Sequence, residues 1–155
     1  MNGVFNLREL RLPPLDDAPE GRRFGARSPG EELGAQSTGC SVYELEPGQA
    51  CWPYHYELAE EEWLIVIAGA LTLRTPEGER AIGEGDVVCF PPGPAGAHAV
   101  RNDTAEPARF AMPSSGSPPA RVTVYPDSGK VAIAGPGFAH HGPLGDEVGY
   151  WAGET

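Results

Sequence analysis

GQACWPYHYELAEEEWLIVIAG, residues 48–69, places His55, Glu57 and Glu62 within eight residues and then turns wholly apolar. In an extended strand alternate side chains share a face, so His55 and Glu57 are expected on one side and Tyr54 and Tyr56 on the other. If residues 58–61 form a four-residue hairpin loop, Glu57 and Glu62 become a cross-strand pair on the face that carries His55. Two carboxylates that close repel, and one takes up a proton unless a shared cation favours the ionised pair. Nitrogen and oxygen donors converging in this way point to a metal ion.

The same residues carry a family resemblance. Gly48, His55, Glu62 and Gly69 stand in the order of the first cupin motif, with six residues between the last two, and Glu57 occupies the place of the usual second His. Gly85, Pro91, Gly93, His98 and Asn102 follow the second cupin motif, the gap before His98 being two residues longer than usual. Over roughly residues 40 to 112 the chain therefore resembles the cupin superfamily. The resemblance implies an all-β fold, a double-stranded β-helix or jelly-roll barrel holding a metal on three His and one Glu.

Carried onto this chain, the implied metal ligands are His55, Glu57, Glu62 and His98. Two His with two carboxylates is a harder and more anionic set, suited to one divalent ion per chain, Fe, Mn or Zn. A facial set of two His and one carboxylate, with Glu57 swung out, is equally allowed. Glu60 or Glu61 could stand in for Glu62, but Glu62 alone keeps the spacing to Gly69. Trp52, Tyr54 and Tyr56 are read as core rather than pocket. Cys89 is read as a buried, inert thiol, and His140 and His141 as part of a solvated tail.

At 155 residues the chain has room for one domain. Its 21 Gly and 17 Pro are explained by many turns between short strands. A net charge of -11 argues against nucleic acid and anionic membrane as partners. Three cysteines without paired spacing indicate neither a disulfide framework nor a zinc ribbon. With no apolar run of signal or transmembrane length, a cytoplasmic location is expected.

Residues 1–36 are read as a long irregular arm, with at most an edge strand within residues 1–10, residues 37–135 as the barrel and residues 136–155 as a tail. The arm carries five of the eleven cations against six of the 22 acids, and is nearly neutral beside an acidic body. The stretch PSSGSPPA, residues 113–120, is expected to be a connector. Trp63, Ile65 and Ile67 give the apolar run a second apolar face that needs a cover, either the arm, the tail or a second subunit. A homodimer is expected. Two functions fit: a metal-dependent enzyme of dioxygenase, isomerase or decarboxylase type acting on a small oxygen-bearing molecule, or a non-catalytic small-ligand-binding module with a structural metal or none. In the enzyme, Glu57 is the nearest acid or base left once the imidazoles are committed as ligands.

Overall fold

Side chains along the apolar run alternate as the pleat requires, Leu64 and Val66 being buried while Trp63 is 40% exposed. The computed structural model describes residues 3–15, 18–115 and 120–154. Its elements in order are β1 (Phe24–Arg27), α1 (Pro29–Glu32), β2 (Gly39–Leu45), β3 (Tyr56–Glu57), β4 (Glu62–Ala68), β5 (Ala70–Thr75), β6 (Gly78–Gly83), β7 (Val87–Phe90), β8 (Ala99–Arg101), β9 (Ala108–Ser114), β10 (Arg121–Tyr125), β11 (Lys130–Gly135) and β12 (Phe138–Pro143). They form three antiparallel sheets, ordered β1-β2-β9-β4-β7, β12-β11-β10-β3 and β6-β5-β8. This is the all-β, double-stranded β-helix architecture expected.

The core sits between the sheets, where Leu45, Leu64, Val66, Leu71, Leu73, Val100 and Phe110 pack in one buried cluster. Each such side chain contributes about 1.5–3 kcal/mol by leaving water. The chain turns from β4 into β5 at Gly69, whose φ of 76° is in the left-handed region. A Cβ there would lie 2.6 Å from the Pro107 carbonyl oxygen and 2.9 Å from Ala108 Cα, so only glycine passes. Asn102, fully buried, donates from Nδ2 to the carbonyls of Leu45 and Glu106 and accepts at Oδ1 from Thr104, which locks the turn after β8.

Several local expectations are corrected. The hairpin joining Glu57 to Glu62 does not form: Glu57 pairs with Thr123 of β10, and Glu62 pairs with Phe90 of β7 and Ser114 of β9. Residues 58–61 thus cross from one sheet to another, because each glutamate finds a longer-range strand partner. The expected strand over residues 52–57 is reduced to β3, although the Cys51 N–H still donates to the Val100 carbonyl and His55 and His98 exchange backbone hydrogen bonds.

The arm is not wholly irregular. Its second half supplies β1, paired with β2, and the single turn α1. No strand lies in residues 3–10; instead Leu10 is buried against Val42 and Ala111, with Phe5, Leu7, Leu12 and Ile67 packed around them. Arg109 fastens this segment by donating to the carbonyls of Leu7 and Arg8 while pairing with Glu44 at 2.6 Å. The arm is therefore the cover over Ile67. The tail likewise contributes β12, paired along β11, with His140 and His141 exposed. Cys89 is exposed rather than buried, since β7 is an edge strand and the residue lies on its outer side; none of the three cysteines is in a disulfide. Of the expected connector at residues 113–120, Pro113 and Ser114 end β9 and residues 116–119 lie outside the described residues. No helix among the described residues is long and apolar enough to cross a membrane.

Candidate metal centre

Glu62 shares the inward parity of Leu64 and Val66, and His98 shares that of Val100 and Asn102, so the pattern that buries the core also turns these two side chains inward. Gly96 allows the preceding loop to fold tightly enough to deliver His98, since a Cβ there would strike the Pro91 carbonyl oxygen at 1.9 Å. His55 reaches the same place as the bridge partner of His98: the two exchange backbone hydrogen bonds of 3.1 and 2.8 Å. Directly opposed residues present their side chains on one face. The two rings lie 4.7 Å apart.

One potential ligand atom from each of His55, Glu62 and His98 falls within 4.8 Å of the others. Both imidazoles are oriented alike. Nδ1 of His55 lies 2.9 Å from the Pro53 carbonyl oxygen and Nδ1 of His98 lies 2.9 Å from that of Gly96. Each Nδ1–H donates to its carbonyl, which leaves the Nε2 lone pair for a ligand. His98 Nε2 is buried with no hydrogen-bond partner and stands 3.7 Å from Glu62 Oε2. Phe90 stacks on the His98 ring at 3.8 Å, Tyr125 stacks on His55 at 5.9 Å, and Trp52 meets both rings edge-on.

Burial pushes the Glu62 carboxyl up to about 7, helped by the nearby charges of Glu57 and Glu60. Burial also pushes His98 down to about 3, with His55 adding to the effect, and lowers His55. Two neutral imidazoles beside a carboxylate whose ionisation needs a counter-charge form a donor set that suits a divalent cation. An unpartnered buried acceptor such as His98 Nε2 is costly unless something is bound to it. The residues present therefore fit a metal ion.

Glu57 lies outside that group of three. Its Oε1 accepts a 2.7 Å hydrogen bond from Thr123 Oγ1, while Oε2 is buried with no partner. Burial raises its carboxyl despite the Thr123 contact. Glu60, also buried, lies 3.0 Å from Arg121 Nε, and Glu61 instead accepts from Trp63 Nε1.

Two cavities meet at Glu62. One, of about 220 Å³, is lined by Tyr43, Trp52, His55, Glu62 and Met112. The other, of about 490 Å³, shares Tyr43, Glu62 and Met112 and continues past Glu60, Arg121 and Ser41 to Glu31 of the arm. Burial raises the Tyr43 hydroxyl to about 12, so it stays protonated. Trp52 is packed against the core and also lines a cavity, where its buried Nε1–H has no partner. Tyr54 instead lies under the Arg74 guanidinium at 3.9 Å, away from both cavities. Glu60, named from the sequence only as a stand-in for Glu62, lies beside it on the cavity wall, whereas Tyr43 and Arg121 were not foreseen as neighbours of the site, because only the pairing of β2 and β10 brings them there.

A family model described as the cupin domain matches residues 41–113. No curated protein matches the sequence. Among solved structures, the chain is similar to a candidate sugar phosphate isomerase from Acidithiobacillus ferrooxidans, with 25% identity, a TM-score of 0.80, and 91% of this chain and 90% of that one covered. It is also similar to a cupin-superfamily sugar phosphate isomerase from Silicibacter pomeroyi, with 24% identity, a TM-score of 0.77, and 92% and 97% covered. A candidate oxalate decarboxylase from Thermotoga maritima shares the fold at 16% identity, a TM-score of 0.61, and 74% and 100% covered.

Proposed function

Since the chain carries a cupin domain over residues 41–113, we propose that it is a divalent-metal-dependent isomerase of small hydroxy-carbonyl molecules, with His55, Glu62 and His98 as the metal ligands and Glu57 beside them. The observation that carries the reading is the orphaned, buried Nε2 of His98 beside the Glu62 carboxylate. A surface cluster would satisfy such a nitrogen with water, whereas a buried one is left for an ion. Likeness to proteins described as sugar phosphate isomerases favours isomerisation over the oxygenase and decarboxylase alternatives.

A bound divalent ion supplies Lewis acidity to a carbonyl oxygen and lowers the cost of removing a proton from the adjacent carbon. The chain's residues do the rest. The carbonyls of Pro53 and Gly96 hold both imidazoles in the tautomer that presents Nε2. Glu57, tethered at Oε1 by Thr123, uses Oε2 to take the proton from one carbon and return it to the neighbouring one. Its raised carboxyl pKa brings it nearer to the range in which a group both accepts and releases a proton. Trp52 Nε1–H and the Tyr43 hydroxyl offer neutral donors to the substrate's oxygens.

The experiment is proton exchange in deuterium oxide, followed by NMR on a panel of aldoses and ketoses with the Fe-, Mn- and Zn-loaded protein. Deuterium entering the carbon beside the carbonyl, together with interconversion of the pair, is the expected result. Ligand binding without exchange in every metal form contradicts the isomerase and favours the non-catalytic binding module.

A further inference from the structure

The larger cavity has a charge balance that bears on which hydroxy-carbonyl molecules it accepts. Its wall presents three carboxylates, Glu31, Glu60 and Glu62, against one guanidinium, that of Arg121, which already lies 3.0 Å from Glu60 Oε1. Three negative charges against one positive leave two, which a single divalent ion at His55, Glu62 and His98 cancels.

The rest of the wall is rich in hydroxyls, from Ser28, Thr38, Ser41 and Ser114. The volume of about 490 Å³ is that of a small-molecule pocket. A phosphate dianion is ordinarily met by uncommitted Arg or Lys side chains or by a helix N-terminus rich in free N–H groups. Here the only helical turn on the wall, α1, carries acids, Glu31 and Glu32, and Arg27 is committed to Glu32 at 2.6 Å. Carboxylates and hydroxyls, by contrast, are acceptors suited to the hydroxyl groups of a polyol.

We infer that the cleft running from Glu62 to Glu31 binds an uncharged polyhydroxylated hydroxy-carbonyl compound, an unphosphorylated sugar, and discriminates against its phosphorylated form. The inference rests on the proposed isomerase site and specifies its substrate class. The residues that discriminate lie partly outside the family-matched segment: Glu31 and Ser28 come from the arm, and Arg121 from β10. The two sugar phosphate isomerases to which the chain is similar differ from it at about three quarters of aligned positions, so a change of substrate charge is compatible with the shared fold.

The test is isothermal titration of matched pairs into the full chain: fructose and fructose 6-phosphate, ribulose and ribulose 5-phosphate, mannose and mannose 6-phosphate. Metal content is measured first, and each titration is repeated on metal-free and Mn-loaded protein. In every pair whose free sugar binds, that sugar should bind about tenfold or more tightly than the phosphate ester, in both forms of the protein. Glu31→Arg, a change at an exposed position, should narrow that gap about tenfold while leaving metal content unchanged. A phosphate ester that binds as well as or better than its free sugar overturns the inference, as does failure of every free sugar to bind. Failure to take up metal is seen before any sugar is added and counts against the isomerase reading alone, because the pairs can still be ranked on the metal-free protein.

Discussion

Burial sets opposite protonation habits on the two best-placed groups of the site. Glu62 holds its proton up to about pH 7, whereas an unfolded chain gives it up near 4.5; His98 stays neutral down to about 3, whereas an unfolded chain protonates it near 6.5. Below about pH 4.5 the unfolded chain binds the His98 proton that the fold refuses, so stability falls with acid. Between 4.5 and 6.5 the Glu62 proton held only by the fold opposes that slope, and the metal-free protein should show a plateau in urea unfolding. A cation must displace the Glu62 proton, so metal-induced stabilisation should grow with pH from about 5 to 7 and then level off. A metal-induced shift in melting temperature that is constant across that range contradicts the assignment of Glu62. Glu57→Gln should keep the metal and lower deuterium exchange by about 100-fold or more, since the amide cannot accept a proton; undiminished exchange removes Glu57 from the proposal. His55, Glu62 and His98 were legible in the sequence because motif spacing and strand parity are local properties. Tyr43 and Arg121 were not, because no local pattern records which strands will be neighbours.

Among the elements, the central strands were legible and the outer ones less so. β4, β5, β9 and β10 carry alternating or continuous apolar side chains that state their own period. β1 and β12 are rich in Gly, His and charge, and take their extended form from β2 and β11 beside them. The hairpin between Glu57 and Glu62 was a reasonable local solution that lost to pairing with β10, β7 and β9. Gly69→Ala tests how strictly β4 and β5 are joined. Positive φ and the 2.6 Å approach to Pro107 should together cost about 3 kcal/mol or more, read as a fall in the urea midpoint at constant slope. A cost below about 1 kcal/mol would mean that the turn rearranges freely. Arg109→Met should loosen the arm from Glu44, Leu7 and Arg8 without unfolding the barrel, visible as faster hydrogen exchange at residues 7–10.

At the scale of the whole molecule, the acidic body and the nearly neutral arm have come together as one fold, the arm covering Ile67 and lending Glu31 to the cleft. That removes part of the reason for expecting a second subunit, because one of the three outward apolar residues is already covered. Trp63 remains exposed at 40%, and a homodimer through its face stays our proposal. Light scattering at micromolar concentration should give twice the 16.4 kDa of one chain, and the mass of a single chain contradicts it.

The metal site is the claim on which the isomerase reading depends, and elemental analysis of untagged protein purified without added metal tests it most directly. One divalent ion per chain, Fe, Mn or Zn, is expected, together with its loss in His98→Ala protein that keeps the far-ultraviolet circular dichroism of the parent. Removing a whole ligand should weaken binding by more than the 10–100-fold typical of an outer-sphere change. An unchanged metal-to-chain ratio in folded His98→Ala protein, or no divalent metal in the parent even after loading, contradicts it.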